Sequence, residues 1–126
     1  MSESVPRGVV VCHGPLAAAL VEATEQITGV ARVLVPVSNT GCGRADLEAL
    51  VNDAVGQEPA VVFVDMASGS CLFAVLRRLR ERKDVRVVTG VNLAMLLDFV
   101  FHRELSVDAA ASRAVEVGEK AIKVSA

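Results

Sequence analysis

Four short runs of mostly β-branched and apolar residues punctuate the chain: Gly8 to Cys12, Ala31 to Val37, Ala60 to Asp65 and Val85 to Thr89. Each is bounded by Gly, Pro or polar residues, the pattern of strands buried on both faces. Between them lie segments of helical period. Leu16, Leu20, Ala23 and Ile27 recur three or four apart, as do Leu47, Leu50, Val51, Ala54 and Val55. Leu72, Val75, Leu76 and Leu79 do the same, ahead of a basic last turn of Arg80, Arg82 and Lys83 that complements a helix dipole. Two more helices are predicted over Leu93 to Arg103 and Val107 to Lys120, the second with Ser106 as N-cap and a stripe of Ala110, Ala114, Val117 and Ala121.

Strands alternating with helices, up to the helix pair that closes the chain, allow few folds. Right-handed crossovers force an α/β, doubly wound, mainly parallel four-stranded sheet with helices on both faces. A strand order of 2-1-3-4 places the topological switch between the first and third strands, and ligands in such sheets bind beside the switch at the carboxyl ends. The closing AIKVSA, alternating from Ile122 to Val124, is a candidate fifth strand, exchanged between subunits of a dimer to cover an exposed sheet edge.

Composition narrows the reading. At 126 residues the chain (1–126) is expected to form a single domain, since one core usually serves ~100–150 residues. Aromatics are 3%, with no Trp or Tyr, so the core must be built from Val, Leu and Ala. A net charge of −2 and few stacking rings argue against a nucleic-acid partner. The opening MSESVPRG lacks a basic flank, and no apolar run reaches ~18 residues. A cytoplasmic protein without membrane insertion is expected. Cys12, Cys42 and Cys71 are odd in number and widely spaced, giving neither a zinc spacing nor a disulfide framework. They read as free thiols, and no metal or cofactor is expected.

The chemistry gathers where strands 1 and 3 end. Strand 1 runs into His13 and strand 3 into Asp65. Neighbouring strands lie about 4.8 Å apart, so the carboxylate can reach one imidazole nitrogen. That contact would set the tautomer and aim the other nitrogen's lone pair at solvent. Imidazole needs no separate base to act as a nucleophile near neutral pH. Gly14-Pro15 opens the first helix and Gly69-Ser70 the third, and helix N-termini hold phosphoryl groups well. Gly14, Gly69 and Ser70 are therefore the candidate phosphate-binding residues. Pro36, Ser38 and the rest of PVSNTGCGR, with Met66, form the candidate rim. Asn92 either borders the site or caps the following helix.

These residues also carry a resemblance. VVVCHG, VVFVDMASGS and VVTGVNLAMLLDFV are similar, over nearly the whole length, to the IIA proteins of the mannose family of the bacterial phosphoenolpyruvate-dependent sugar phosphotransferase system. The resemblance implies that His13 accepts a phosphoryl group from the carrier HPr and passes it to a IIB protein or domain, with Asp65 holding the ring. It also implies a homodimer with an exchanged C-terminal strand, and association with a membrane permease through IIB. The chain departs from the family at Met66-Ala67-Ser68-Gly69-Ser70-Cys71, where a Trp or Leu followed by Gly-Gly-Ser-Pro is usual, and at Ala94, where proline is expected. These departures bear on the partner and the sugar more than on the chemistry, and they suit a regulatory IIA in an incomplete system.

Three other readings compete. A Cys12 nucleophile, as in IIB domains or small tyrosine phosphatases, lacks support: Ala18 stands where a phosphatase loop needs Arg, and alternation turns Cys12 away from His13 and inward. The phosphotransfer subunit of dihydroxyacetone kinase has His-Ser after strand 1 and a Gly-Ser-Ala turn after its aspartate, whereas Gly-Val-Asn-Leu here favours the mannose side. A non-catalytic regulatory or docking domain would use LRRLRERK as a patch, but such a run is ordinarily a solvated helix face. His102 reads as a surface residue near a helix end.

Overall fold

A computed structural model describes residues 5–126; residues 1–4, the first half of MSESVPRG, lie outside the described residues. The elements follow in the order β1 (Arg7–Cys12), α1 (Leu16–Thr28), β2 (Leu34–Ser38), α2 (Arg44–Val55), β3 (Ala60–Val64), α3 (Ser70–Leu79), β4 (Val85–Thr89), α4 (Leu93–Phe101) and α5 (Val107–Lys120). The sheet has the order β2-β1-β3-β4, and every pairing is parallel. The expected doubly wound architecture and switch point are therefore present. Register aligns Cys12 with Ser38, and Val11 with Val64, so β1, β2 and β3 end side by side.

Side chains alternate across the sheet. Val10, Cys12, Val61 and Phe63 face α1, α4 and α5, where Leu96, Phe99, Ala110 and Ala114 complete one core layer. Val9, Val11, Val62 and Val64 face α2 and α3, meeting Val51, Val55, Cys71, Val75 and Leu79. Phe63 and Phe99 meet edge to face at 5.5 Å, a favoured aromatic geometry. Gly118 lets α5 settle onto α4: a Cβ there would stand 2.5 Å from Met95 Cε.

Several sequence expectations shift. β2 begins at Leu34 rather than Ala31, because Arg32 takes a positive φ of 67° that no strand accepts. The buried face of α1 is Ala17, Val21 and Thr24, one residue round from the expected stripe, leaving Leu16 and Ile27 exposed. Thr24 is accommodated because its hydroxyl donates to Leu20 O at 2.8 Å. The basic turn of α3 is Arg77 and Arg78, while Arg82 lies beyond the helix. There it ties Asp84, at 2.8 Å, to the carbonyls of Gly56 and Glu58. α4 ends at Phe101, short of Arg103. α5 buries Ala110, Ala111, Ala114 and Gly118, with Ser106 accepting from Ala109 N–H as its N-cap; Ala121 falls past the helix and is exposed. Residues 122–126 form no strand within the single chain and are exposed.

Candidate functional site

His13 and Asp65 each stand one residue past a buried strand, β1 and β3. The parallel register brings them together: His13 Nδ1 lies 2.8 Å from Asp65 Oδ2. The same oxygen accepts the His13 backbone N–H at 2.9 Å. One carboxylate oxygen thus fixes both the backbone and the ring of His13. Burial pushes the Asp65 carboxyl up, but the backbone and side-chain hydrogen bonds from His13 outweigh it and hold Asp65 below its ordinary range. An ionised carboxylate can only accept, so Nδ1 carries the ring proton and Nε2 presents its lone pair. Ser70 Oγ faces that nitrogen at 3.4 Å. His13 retains 37% side-chain exposure, so Nε2 can be reached from outside.

The third helix starts beside the ring. Gly69 is its N-cap at φ 96°, and a Cβ at that position would lie 3.5 Å from His13 Cε1 and Nε2. The space would tolerate a methyl group; the positive φ favours glycine. A glycine cap has no side chain to satisfy the first N–H groups of α3, which stay available to an anion. Pro15 and Gly43, the N-caps of α1 and α2, likewise supply no side-chain cap. At α2 the Gly43 N–H donates to Asp46 Oδ2 at 3.4 Å and at α1 the Leu16 N–H donates to His13 O at 3.3 Å, so both starts are partly engaged.

Gly14 follows His13 and is clamped at both polar groups. Its N–H donates to Asn39 Oδ1 at 3.0 Å, and its carbonyl accepts from Ser38 Oγ at 2.7 Å. Its amide is therefore committed to Asn39 in this conformation, leaving the start of α3 as the open anion position. Ser38 meets the site through the Gly14 carbonyl. Asn39 was not singled out individually; its only sequence signal is a place one residue past β2. Met66 follows Asp65 and is exposed. A cavity of about 550 Å³ adjoins the site, lined by Asn39, Arg44, Ser70 and Phe73 among others. Over it the Arg44 guanidinium sits 5.1 Å from the Phe73 ring.

Pro36 and Asn92, the other rim candidates, take the following places. Pro36 pairs with Val10, two residues before the strand end, and lines a surface pocket that also takes in Ser38, Cys42, Leu50 and Ala54. Asn92 is a cap: Oδ1 accepts Met95 N–H at 3.1 Å and Nδ2 donates to Gly118 O at 3.1 Å. Both ends of its amide are spent joining α4 to α5. Cys12 is buried, and burial, then the Asp65 charge, pushes its thiol up to about 12. A thiol so hard to ionise is no nucleophile, and the inward reading of Cys12 holds.

A model of the family described as "PTS system fructose IIA component" matches residues 8–116. The chain belongs to this family, the mannose-type IIA proteins of the phosphotransferase system. As a IIA protein it has a place in phosphotransfer for sugar uptake, and the family implies HPr and IIB as partners. Solved structures share the fold. A phosphotransferase component EIIA from Streptococcus agalactiae superposes with TM-score 0.86 at 21% identity, covering 94% of this chain and 95% of that one. A mannose/sorbose-specific IIA subunit from Enterococcus faecalis gives 0.82 at 22%, covering 95% and 94%. A sigma-54 interaction domain protein from Enterococcus faecalis gives 0.78 at 14%, covering 95% of each chain. No curated protein sequence matches significantly. Among the described residues, no helix is long and apolar enough to cross a membrane.

Proposed function

We propose that His13 Nε2 accepts a phosphoryl group from phospho-HPr and passes it to a IIB protein or domain, in sugar uptake or its regulation. The Nε2 lone pair forms the new N–P bond while the bond from phosphorus to the donor breaks, and the donor keeps that electron pair. The Nδ1 proton stays between His13 and Asp65, whose negative charge stabilises the ring as it becomes cationic. Ser70 and the bare first turn of α3, behind Gly69, receive the phosphoryl oxygens. Transfer to IIB is the same step reversed onto a new acceptor. The observation that carries this reading is the 2.8 Å contact from Nδ1 to Asp65, which leaves Nε2 free beside Ser70.

In this reading the protein works in the cytoplasm as a homodimer and meets a membrane permease only through IIB. The exposed tail, with Ile122 and Val124 turned to solvent, suits strand exchange. The test is incubation with phosphoenolpyruvate, enzyme I and HPr, followed by mass spectrometry of the acid-labile adduct. One phosphoryl group on His13 is expected. Labelling that persists in His13→Ala would overturn the assignment, and label on Cys12 would restore the IIB-like alternative.

A further inference from the structure

Cys71 adds a third kind of ligand to the His13–Asp65 pair. A ring nitrogen of His13, a carboxylate oxygen of Asp65 and Cys71 Sγ all lie within 4.8 Å of one another. They come from the ends of β1 and β3 and from the first turn of α3, far apart in sequence, so spacing rules pass over them. A second observation points the same way. Asp65 is nine-tenths buried, and its Oδ1 has neither water access nor a hydrogen-bond partner among the described residues. A sealed carboxylate oxygen without a donor is costly, and a cation would satisfy it. Thiolate, imidazole and carboxylate together form a donor set for zinc-like ions rather than for magnesium or calcium.

We propose that His13, Asp65 and Cys71 bind a thiophilic divalent cation of the zinc class, with a fourth position open to solvent beside the His13 ring. Ligand atoms around tetrahedral zinc stand about 3.3–3.8 Å apart. The set therefore has to close by no more than roughly 1 Å at its widest pair. On binding, the Cys71 S–H bond breaks, its proton passes to solvent, and the sulfur electron pair forms the metal bond; no electron is transferred. A cation held there either occupies Nε2 or breaks the Asp65 hydrogen bond that orients it. The consequence, which rests on the phosphohistidine reading, is that the metal-loaded protein cannot accept a phosphoryl group.

Cadmium titration of the full chain, followed by the ultraviolet thiolate-to-metal charge-transfer band, tests the site directly. One equivalent is expected to raise the band in the wild type and in Cys42→Ser, and not in Cys71→Ser. His13→Ala, at a partly exposed position that leaves the core intact, should weaken binding roughly tenfold or more. No band, a band retained in Cys71→Ser, or unchanged affinity in His13→Ala each overturns the proposal. Adding zinc before phosphoenolpyruvate, enzyme I and HPr should block labelling of the wild type and spare Cys71→Ser. A wild type that is never labelled even without metal refutes the phosphohistidine reading alone, and the cadmium band still decides the site.

Discussion

Asp65 Oδ2 takes two donors from one residue, the His13 backbone N–H and ring Nδ1, and that arrangement decides what a substitution there does. Asp65→Asn preserves shape but removes the charge and offers a donor where an acceptor is needed. Phosphorylation of His13 is expected to slow ~10²–10³-fold with the fold intact, the usual scale for one well-placed electrostatic partner. Single-turnover rates from phospho-HPr measure it; an unchanged rate would separate the two residues chemically. The His13–Asp65 pair was legible because each residue breaks an apolar strand at its carboxyl end, where few reasons exist for a polar side chain. Asn92, three residues past β4, read either as site border or as helix cap, and the structure makes it the cap. Asn39 gave only a faint signal, its place one residue past β2 within PVSNTGCGR: its role depends on reaching Gly14 at the end of the neighbouring strand, which only the fold makes visible.

Among the elements, existence was easier to foresee than edges. Apolar runs of five or six residues declare themselves through burial on both faces, but Arg32 entering the left-handed region delays β2 by three residues, and nothing in its side chain announces this. The α1 stripe was displaced because Leu16 and Ile27 look like core residues, while the buried Thr24 hides its hydroxyl in the helix's own carbonyl ladder. The corner between β3 and β4 carries its own prediction. Asp84 is held below its ordinary range chiefly by the Arg82 side-chain hydrogen bond, with burial working against it. A carboxyl whose folded pKa is depressed contributes stability above its unfolded value near 3.8, and loses that contribution as pH falls through the folded one. Urea unfolding should therefore show Asp84→Asn less stable than the wild type near neutral pH, with the gap closing toward pH ~3. An equal gap at both pH values would mean that the contribution is not ionic.

For the whole molecule, the parallel doubly wound class followed from alternation, because right-handed crossovers leave a four-stranded chain few arrangements; the order 2-1-3-4 is one of those few and is the one present. Quaternary structure is a separate question, and the tail poses it. Removing residues 121–126 is expected to convert a dimer to a monomer, read by light scattering at micromolar concentration. A full-length protein already monomeric there overturns strand exchange, and a dimer that survives the deletion moves the interface elsewhere. Capping is unevenly distributed over the fold. α4 and α5 open on Asn92 and Ser106, which complete their first turns, whereas α1, α2 and α3 open on Pro15, Gly43 and Gly69 with no side-chain cap. A thermostability programme that ranks sites by missing caps would start with those three, although an Asp or Ser gains only a few tenths of a kcal/mol over a glycine cap. At Gly69 an Asp would place a built-in anion beside His13, against any incoming phosphoryl group, besides forcing a side chain into a positive-φ position. The substituted protein would both transfer less and melt earlier, because a backbone of φ 96° is close to glycine-only ground.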